Sequence, residues 1–326
     1  MLLPLLILMA VGLCYGVLQG KFGSAVVVAA MVSSRSLLPR QAVILAAVGM
    51  GLGAYVLGSA VAATIAAEVI VPGGISLYGV TAGIAAAVVW NMIGLYFELP
   101  VSISQALVGG LIGAAWVESG PQSLLGPGLV KLVLGLFVSP AIGVIAGYLT
   151  VKVAYALTAA ATPHMNRWLQ RAQIAISFVM AMAIGSNDSQ KLMGALVIGL
   201  VAGGVFTTTD VPLTIVLFGV STTMIGSLIN GWSLIRKLGT KFYKIRPIHG
   251  FGAQAASSAT ILSASAFGLP VSASQVVTSA ILGAGSADRL QMIRWGVVSG
   301  ILWGWLLTIP TAAVFGAVLA PLLKGF

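Results

Sequence analysis

Asn187, Asp188 and Lys191 stand together in "AIGSNDSQKLMG", inside a run that is otherwise apolar from "AISFVMAMAI" upstream to "LMGALVIGLVAGGV" downstream. An ionisable group at mid-membrane costs about 2.5–3.5 kcal/mol on insertion scales, so such groups are functional by default. Of the six acids in the chain, Asp188 has the most apolar flanks. An Asn-Asp pair competes with helical hydrogen bonding through its own side chains. That predicts a helix break here, with freed carbonyls able to ligate a cation. Asp188 is then a ligand for a hard monovalent cation (Na+, if sodium is the coupling ion) or a proton acceptor. Lys191, one turn on, either neutralises Asp188 or faces an anion. The plainer alternatives are an internal Asp188–Lys191 pair that lets the segment insert, or a loop between two spans.

Pro-Val-Ser-X-Ser-Gln is a second pattern, and it occurs twice. Proline lacks a backbone donor and suits the first turn of a helix, so each copy reads as the start of a half-helix. A helix N-terminus offers unpaired N–H groups and about half a positive charge. The hydroxyls of Ser102, Ser104, Ser272 and Ser274 and the amides of Gln105 and Gln275 add neutral donors close by. Such a shell suits an oxyanion. Helix capping alone would account for either copy taken singly. Their matched placement argues for more: "LPVSISQALVGGLIGA" (99–114) aligns without gaps to "LPVSASQVVTSAILGA" (269–284), with eight of sixteen positions identical.

The elements that hold these groups must cross a membrane. Apolar residues make up 59% of the 326 and charged residues 7%, against about 25% charged in soluble domains. Runs of about 20 apolar residues recur along the chain, each long enough for a hydrocarbon core about 30 Å thick. The 41 glycines suit helices that pack closely in lipid. Stretches such as "AVILAAVGMGLGAYVLGSAVAATIAA" lack the alternation of a membrane β-barrel. The class is an all-α polytopic membrane protein, with the lipid bilayer as its solvent.

The net charge of +10 does not mark a nucleic-acid surface. Arg236, Lys237, Lys241, Lys244 and Arg246 fall in one stretch, "IRKLGTKFYKIRP", and basic loops between spans stay cytoplasmic. Cys14 is the single cysteine, so no intramolecular disulfide forms. The N-terminus "MLLPLLILMAVGLCYG" has no basic n-region or small-residue cleavage site and reads as a retained first membrane helix. No nucleophile–base pair, metal cluster or nucleotide-type phosphate loop points to an enzyme.

Hydrophobic segments fall at 2–19, 24–33, 41–67, 76–97, 101–117, 128–157, 172–185, 189–206, 211–235, 251–268, 271–286 and 292–323. Segments 24–33, 101–117 and 271–286 are too short to span and are expected as half-helices or re-entrant hairpins, which survive at membrane depth only inside protein or beside a wet cavity. The repeat offset of 170 residues also maps Pro140 onto Pro310, and "VLGSA" (56–60) resembles "MIGSL" (224–228) at a slightly different offset. Two similar halves, each with a polar-interrupted segment, are the signature of a repeat-built secondary transporter. The halves are expected at 1–160 and 161–326, with hairpins at about 99–118 and about 268–288 and a linker at "AATPHMNRWLQRAQ" (160–173). His164 and His249 are expected as solvated loop residues rather than proton relays.

On these residues the chain resembles the inorganic phosphate transporter (PiT) family of ion-coupled symporters. "GSNDSQKLMG" is similar to the second of the family's two Gly-X-Asn-Asp motifs. Pro100-Val101-Ser102 and Pro270-Val271-Ser272 match its paired hairpin motifs, and "GSLINGWSLIRKLGTKFYKIRPIHGFGAQ" (226–254) is similar to its basic loop and following helix. The similarity covers essentially the whole chain. It implies two inverted-topology repeats with discontinuous helices, and substrate and cations bound near the midplane between two re-entrant hairpins. Asn187, Asp188 and Lys191 then fall in the second signature, with Asn187 and Asp188 as cation-coupling residues. Ser102, Ser104, Gln105, Ser272, Ser274 and Gln275 fall in the hairpin motifs.

The chain also departs from the family. The first signature should start at Gly20, yet "GKFGSAV" has Phe22 and Gly23 where the family has Asn and Asp, and Val26 where a second Asn is usual. Gln105 and Gln275 occupy positions where many members have His, and Gln254 one where many have Glu. Acidic cation ligands are therefore missing from the first half, as in relatives that look like sulfate permeases. Lys21 either supplies an ammonium in place of that cation or snorkels to the interface from the first helix.

The leading expectation is symport of inorganic phosphate driven by Na+ or H+. A sulfate permease of the same fold and an uncoupled anion facilitator are the alternatives, followed by a non-transporting partner or sensor. Phosphate donates a hydrogen bond to a carboxylate and sulfate at neutral pH does not, so Asp188 beside the anion favours phosphate. No cofactor is expected beyond the coupling ion. A homodimer is compatible with the sequence, and the short loops suit a bacterial or archaeal plasma membrane.

Overall fold

Apolar, glycine-rich runs fold as helices throughout. The computed structural model describes residues 2–33, 36–97, 101–157, 164–229, 247–288 and 295–325. Its elements are α1 (Leu2–Ser33), α2 (Pro39–Val56), α3 (Ala60–Glu68), α4 (Leu77–Tyr96), α5 (Ile103–Ser119), α6 (Gly126–Val133), α7 (Ser139–Leu157), α8 (His164–Ala202), α9 (Leu213–Leu228), α10 (Pro247–Ala266), α11 (Ala273–Ser286) and α12 (Trp295–Lys324). Among the described residues β structure is limited to one isolated bridge, Ile70 with Leu124. Among the described residues five stretches are long and apolar enough to cross a membrane: Leu2–Ala29, Pro39–Val56, Leu77–Tyr96, Gly126–Leu157 and Val298–Lys324.

α8 is the axis of the molecule. Every residue from Ala183 to Leu200 is buried, and the helix packs against α1, α2, α3, α9 and α10. A helix covered on all sides can carry polar groups only if neighbouring elements supply partners. Two expectations are corrected here. "GSNDSQK" is not a break or a loop, because α8 runs helical through residues 185–191. Segment 24–33 is not a half-helix, because it continues α1 without interruption.

The short elements are the hairpin helices. α5 has 17 residues and α11 has 14, about 25 and about 21 Å at 1.5 Å per residue. Neither covers a hydrocarbon core of about 30 Å. Both begin at the serine after the Pro-Val pair. Gly268, at φ +66°, makes the turn from α10 towards α11, a conformation open to glycine because it has no Cβ. Leu99 and Pro100 lie outside the described residues.

α5 packs on α12, and α11 on α7. A Cβ at Gly113 in α5 would collide with the Ala313 carbonyl of α12, and one at Gly283 in α11 with the Val144 carbonyl of α7. Small residues at these crossings let backbones touch, which is how membrane helices gain packing energy. Between α6 and α7, residues Leu134–Val138 form a π-turn directly before Pro140. That wider turn absorbs the lost N–H and the ring of the proline. The repeat partner Pro310 lies inside α12.

The offset of 170 relates more than the hairpin motifs. Moving α4 by 170 residues gives 247–266, the bounds of α10. It also maps Glu118 onto Asp288, and the two acids do comparable work. Glu118 accepts from Ser76 N at 2.7 Å and Ser76 Oγ at 2.6 Å, tying the end of α5 to the cap of α4. Asp288, just past α11, accepts from Tyr155 Oη at 2.5 Å and lies 3.1 Å from Nε2 of His249 in the first turn of α10. His249 is thus 2% exposed and bonded, not a solvated loop residue. The expected linker is mostly helix, since α8 starts at His164; residues 158–163 and the basic stretch 235–246 lie outside the described residues.

Candidate functional site

Ser102 is the N-cap of α5 and Ser272 the N-cap of α11. Their hydroxyls meet at 2.8 Å, so the first turns of the two hairpin helices open onto one point. Ser102 Oγ also accepts from the Gln105 N–H at 3.3 Å, a side-chain cap of the ordinary kind. Ser272 makes no such cap; its second contact is Ser274 Oγ at 3.3 Å. Both serines are themselves extended, and the helix follows each at once.

The charged residues of α8 come up beside this point. Lys191 is fully buried and Asp188 is 7% exposed. Nζ of Lys191 lies 2.6 Å from Asp188 Oδ1 and 2.7 Å from Ser104 Oγ, and it also donates to the Val271 carbonyl. Ser104 Oγ in turn sits 3.5 Å from Asp188 Oδ1. Asp188, Lys191, Ser104 and the chain before Ser272 therefore form one network joining α8 to both hairpins. Of the two roles open to Lys191, neutralising Asp188 is the one present.

Asn187 serves the second hairpin. Its Nδ2 donates to Ser265 Oγ at 2.8 Å and to the Leu269 carbonyl at 3.2 Å. Gln105 and Gln275 are both buried to within 1%. Among the described residues neither amide atom of Gln105, nor Oε1 of Gln275, has a hydrogen-bond partner. Gln254, where a carboxylate is usual in the resembling family, accepts from Ser177 Oγ at 2.8 Å. Its amide also donates to the Val27 carbonyl at 3.4 Å, so the neutral side chain is matched on both ends.

A small cavity beside the network is lined by Gln19, Phe22, Gly23, Val26, Ile103, Ser104, Ile184, Asp188, Ala273 and Ser274. Phe22, Gly23 and Val26, the residues that depart from the first signature, are its wall on the α1 side. Lys21 is half-buried on α1 and does not line it. Gln19 does, and it was missed: Nε2 donates to the Asp188 carbonyl at 2.7 Å, while Oε1 is buried without a partner among the described residues. A lone amide in the apolar first helix was its available signal. Gln190, also missed, accepts from Val61 N at 2.8 Å and so caps α3.

The chain has known relatives. The phosphate transporter family matches residues 20–169 and 155–316. A probable low-affinity inorganic phosphate transporter of Rhizobium meliloti (strain 1021) is 32% identical over 97% of this chain and 95% of its own. One of Bacillus subtilis (strain 168) is 33% identical over 97% of this chain and 96% of its own. The chain belongs to the phosphate transporter family. It is accordingly an integral protein of the plasma membrane, in a family of transporters rather than enzymes. A solved structure described as the sodium-dependent phosphate transporter shares the fold, with a TM-score of 0.90 over 99% of both chains at 23% identity.

Proposed function

We propose that the chain is a secondary transporter that carries inorganic phosphate across the plasma membrane together with a monovalent cation, Na+ or H+. The observation that carries this reading is the Ser102–Ser272 contact at 2.8 Å, which joins two helix N-termini beside the Asp188–Lys191 pair. N–H groups and dipoles at such ends favour an anion. The relatives named for inorganic phosphate supply its identity. Phosphate, unlike sulfate at neutral pH, can also donate a hydrogen bond to the Asp188 carboxylate.

In this reading the anion replaces the serine-to-serine contact and takes the hydroxyls of Ser102, Ser272 and Ser274 as donors. Gln105 and Gln275, whose amides hold atoms unpartnered among the described residues, complete the shell from the first turn of each hairpin helix. Asn187 positions the second hairpin, and Asp188 couples the site to the cation. Residues 1–160 and 161–326 act as inverted repeats that rock about the hairpins and expose the site to each side in turn.

Uptake of radiolabelled phosphate and sulfate into proteoliposomes, with Na+ and pH gradients imposed separately, tests the reading. Phosphate uptake that follows one gradient is expected, and Asp188→Asn should abolish it. Sulfate uptake without phosphate uptake overturns the choice of substrate. Phosphate uptake indifferent to both gradients overturns the coupling.

A further inference from the structure

We infer that the oxygens around the Lys191 ammonium are a monovalent-cation site that the protein fills with its own side chain, so that the transport cycle takes up no alkali cation there and couples to the proton instead. The inference rests on the transport reading above and chooses between its two ions.

The geometry of Nζ carries the argument. An ammonium has three donors and no acceptor. Lys191 directs them at three different oxygens: the Asp188 carboxylate, the Ser104 hydroxyl and the Val271 peptide carbonyl. Nothing remains to bind an anion. The three oxygens come from three elements, namely α8, α5 and the extended chain before α11. Val271 precedes the N-cap of α11, so its carbonyl is not used inside that helix. A carboxylate, a hydroxyl and a free-standing carbonyl are oxygen donors of the kind hard cations take.

The neighbouring cavity offers a second cation little charge of its own. Among the described residues Asp188 is the single charged side chain on its wall; the α1 face is Phe22, Gly23 and Val26. No group of three His, Cys, Asp or Glu side chains that would hold a metal ion occurs among the described residues. Among the described residues the one carboxylate on this wall already holds a cation at 2.6 Å. Removing one member of a buried charge pair leaves the other uncompensated. A chain without the Lys191 ammonium must therefore recruit a cation to the three oxygens or lose stability.

The experiment compares thermal midpoints of the purified protein in NaCl, LiCl, KCl and choline chloride at equal ionic strength. It pairs them with phosphate uptake into proteoliposomes in sodium and in choline media under a fixed pH gradient. Wild type should show the same midpoint in all four salts and the same uptake in both media. Lys191→Ala should be stabilised by several degrees by one or more alkali salts over choline, saturably. The double variant Asp188→Asn, Lys191→Ala should lose that response. Lys191→Gln, one atom shorter and uncharged, removes the ammonium while keeping a polar side chain, and gives the same readout should the alanine variant not fold. Wild-type uptake that requires sodium overturns the inference. So do midpoints of the lysine variants that are equal in alkali and choline salts. The thermal measurement reads the cage whether or not phosphate moves, so a protein that transports nothing in any medium defeats the functional reading alone.

Discussion

Ser102 and Ser272 occupy matched positions, share a hydrogen bond, and yet differ in what else they hold. Ser102 caps α5 through the Gln105 N–H, whereas Ser272 caps nothing. Ser102→Ala should therefore lower both phosphate affinity and the thermal midpoint, the latter by about 1 kcal/mol of lost capping. Ser272→Ala should weaken binding with a smaller effect on the midpoint. Equal losses of stability in the two variants would contradict the asymmetry. The serines, the glutamines and the charges of α8 were legible because they repeat or interrupt apolar runs. The helix break expected at Asn187-Asp188 was not found, for a reason invisible in sequence. Asn187 gives its amide to Ser265 and the Leu269 carbonyl, across the fold, instead of competing for its own backbone. Gln19 escaped notice because its partner is a carbonyl 169 residues away.

Helices meet in this protein where glycine permits. Gly113 against Ala313 and Gly283 against Val144 are crossings with no room for a side chain on the glycine. Alanine at either should cost about 1–3 kcal/mol through overpacking and lower the thermal midpoint. Gly300→Ala, on a face of α12 with nothing within 4 Å, should leave it unchanged or raise it. A flat response at all three would show that these crossings contribute nothing to stability. Helix existence was readable from apolar run length, and hairpin shortness from the spacing of the Pro-Val-Ser motifs. Continuity was not. Polar residues in α1 and α8 look like interruptions in one dimension, but here packing on all sides of α8 supplies partners that keep the helix whole.

At the scale of the molecule, α5 lies on α12 and α11 on α7, so each half covers the hairpin of the other. Each hairpin helix also packs on a helix of its own segment, α5 on α4 and α11 on α10, so neither 1–160 nor 161–326 alone supplies all of its cover. Expressed separately, either half should fail to accumulate as a monodisperse species, while co-expression of both should give a complex that purifies together. Independent stability of one half would refute the exchange. The offset of 170 made the paired hairpin motifs legible in sequence, but which helix covers which hairpin depends on glycine contacts between segments about 200 and 140 residues apart. The buried pair on α8 has one more consequence, and it is electrical. Asp188 and Lys191 cancel, so the empty carrier brings no net charge of its own from this pair to the middle of the membrane. Each uncompensated charge moved through 100 mV is worth about 2.3 kcal/mol. On the inference drawn above, the current recorded per transport cycle counts the cargo, and voltage acts on that cargo rather than on this pair.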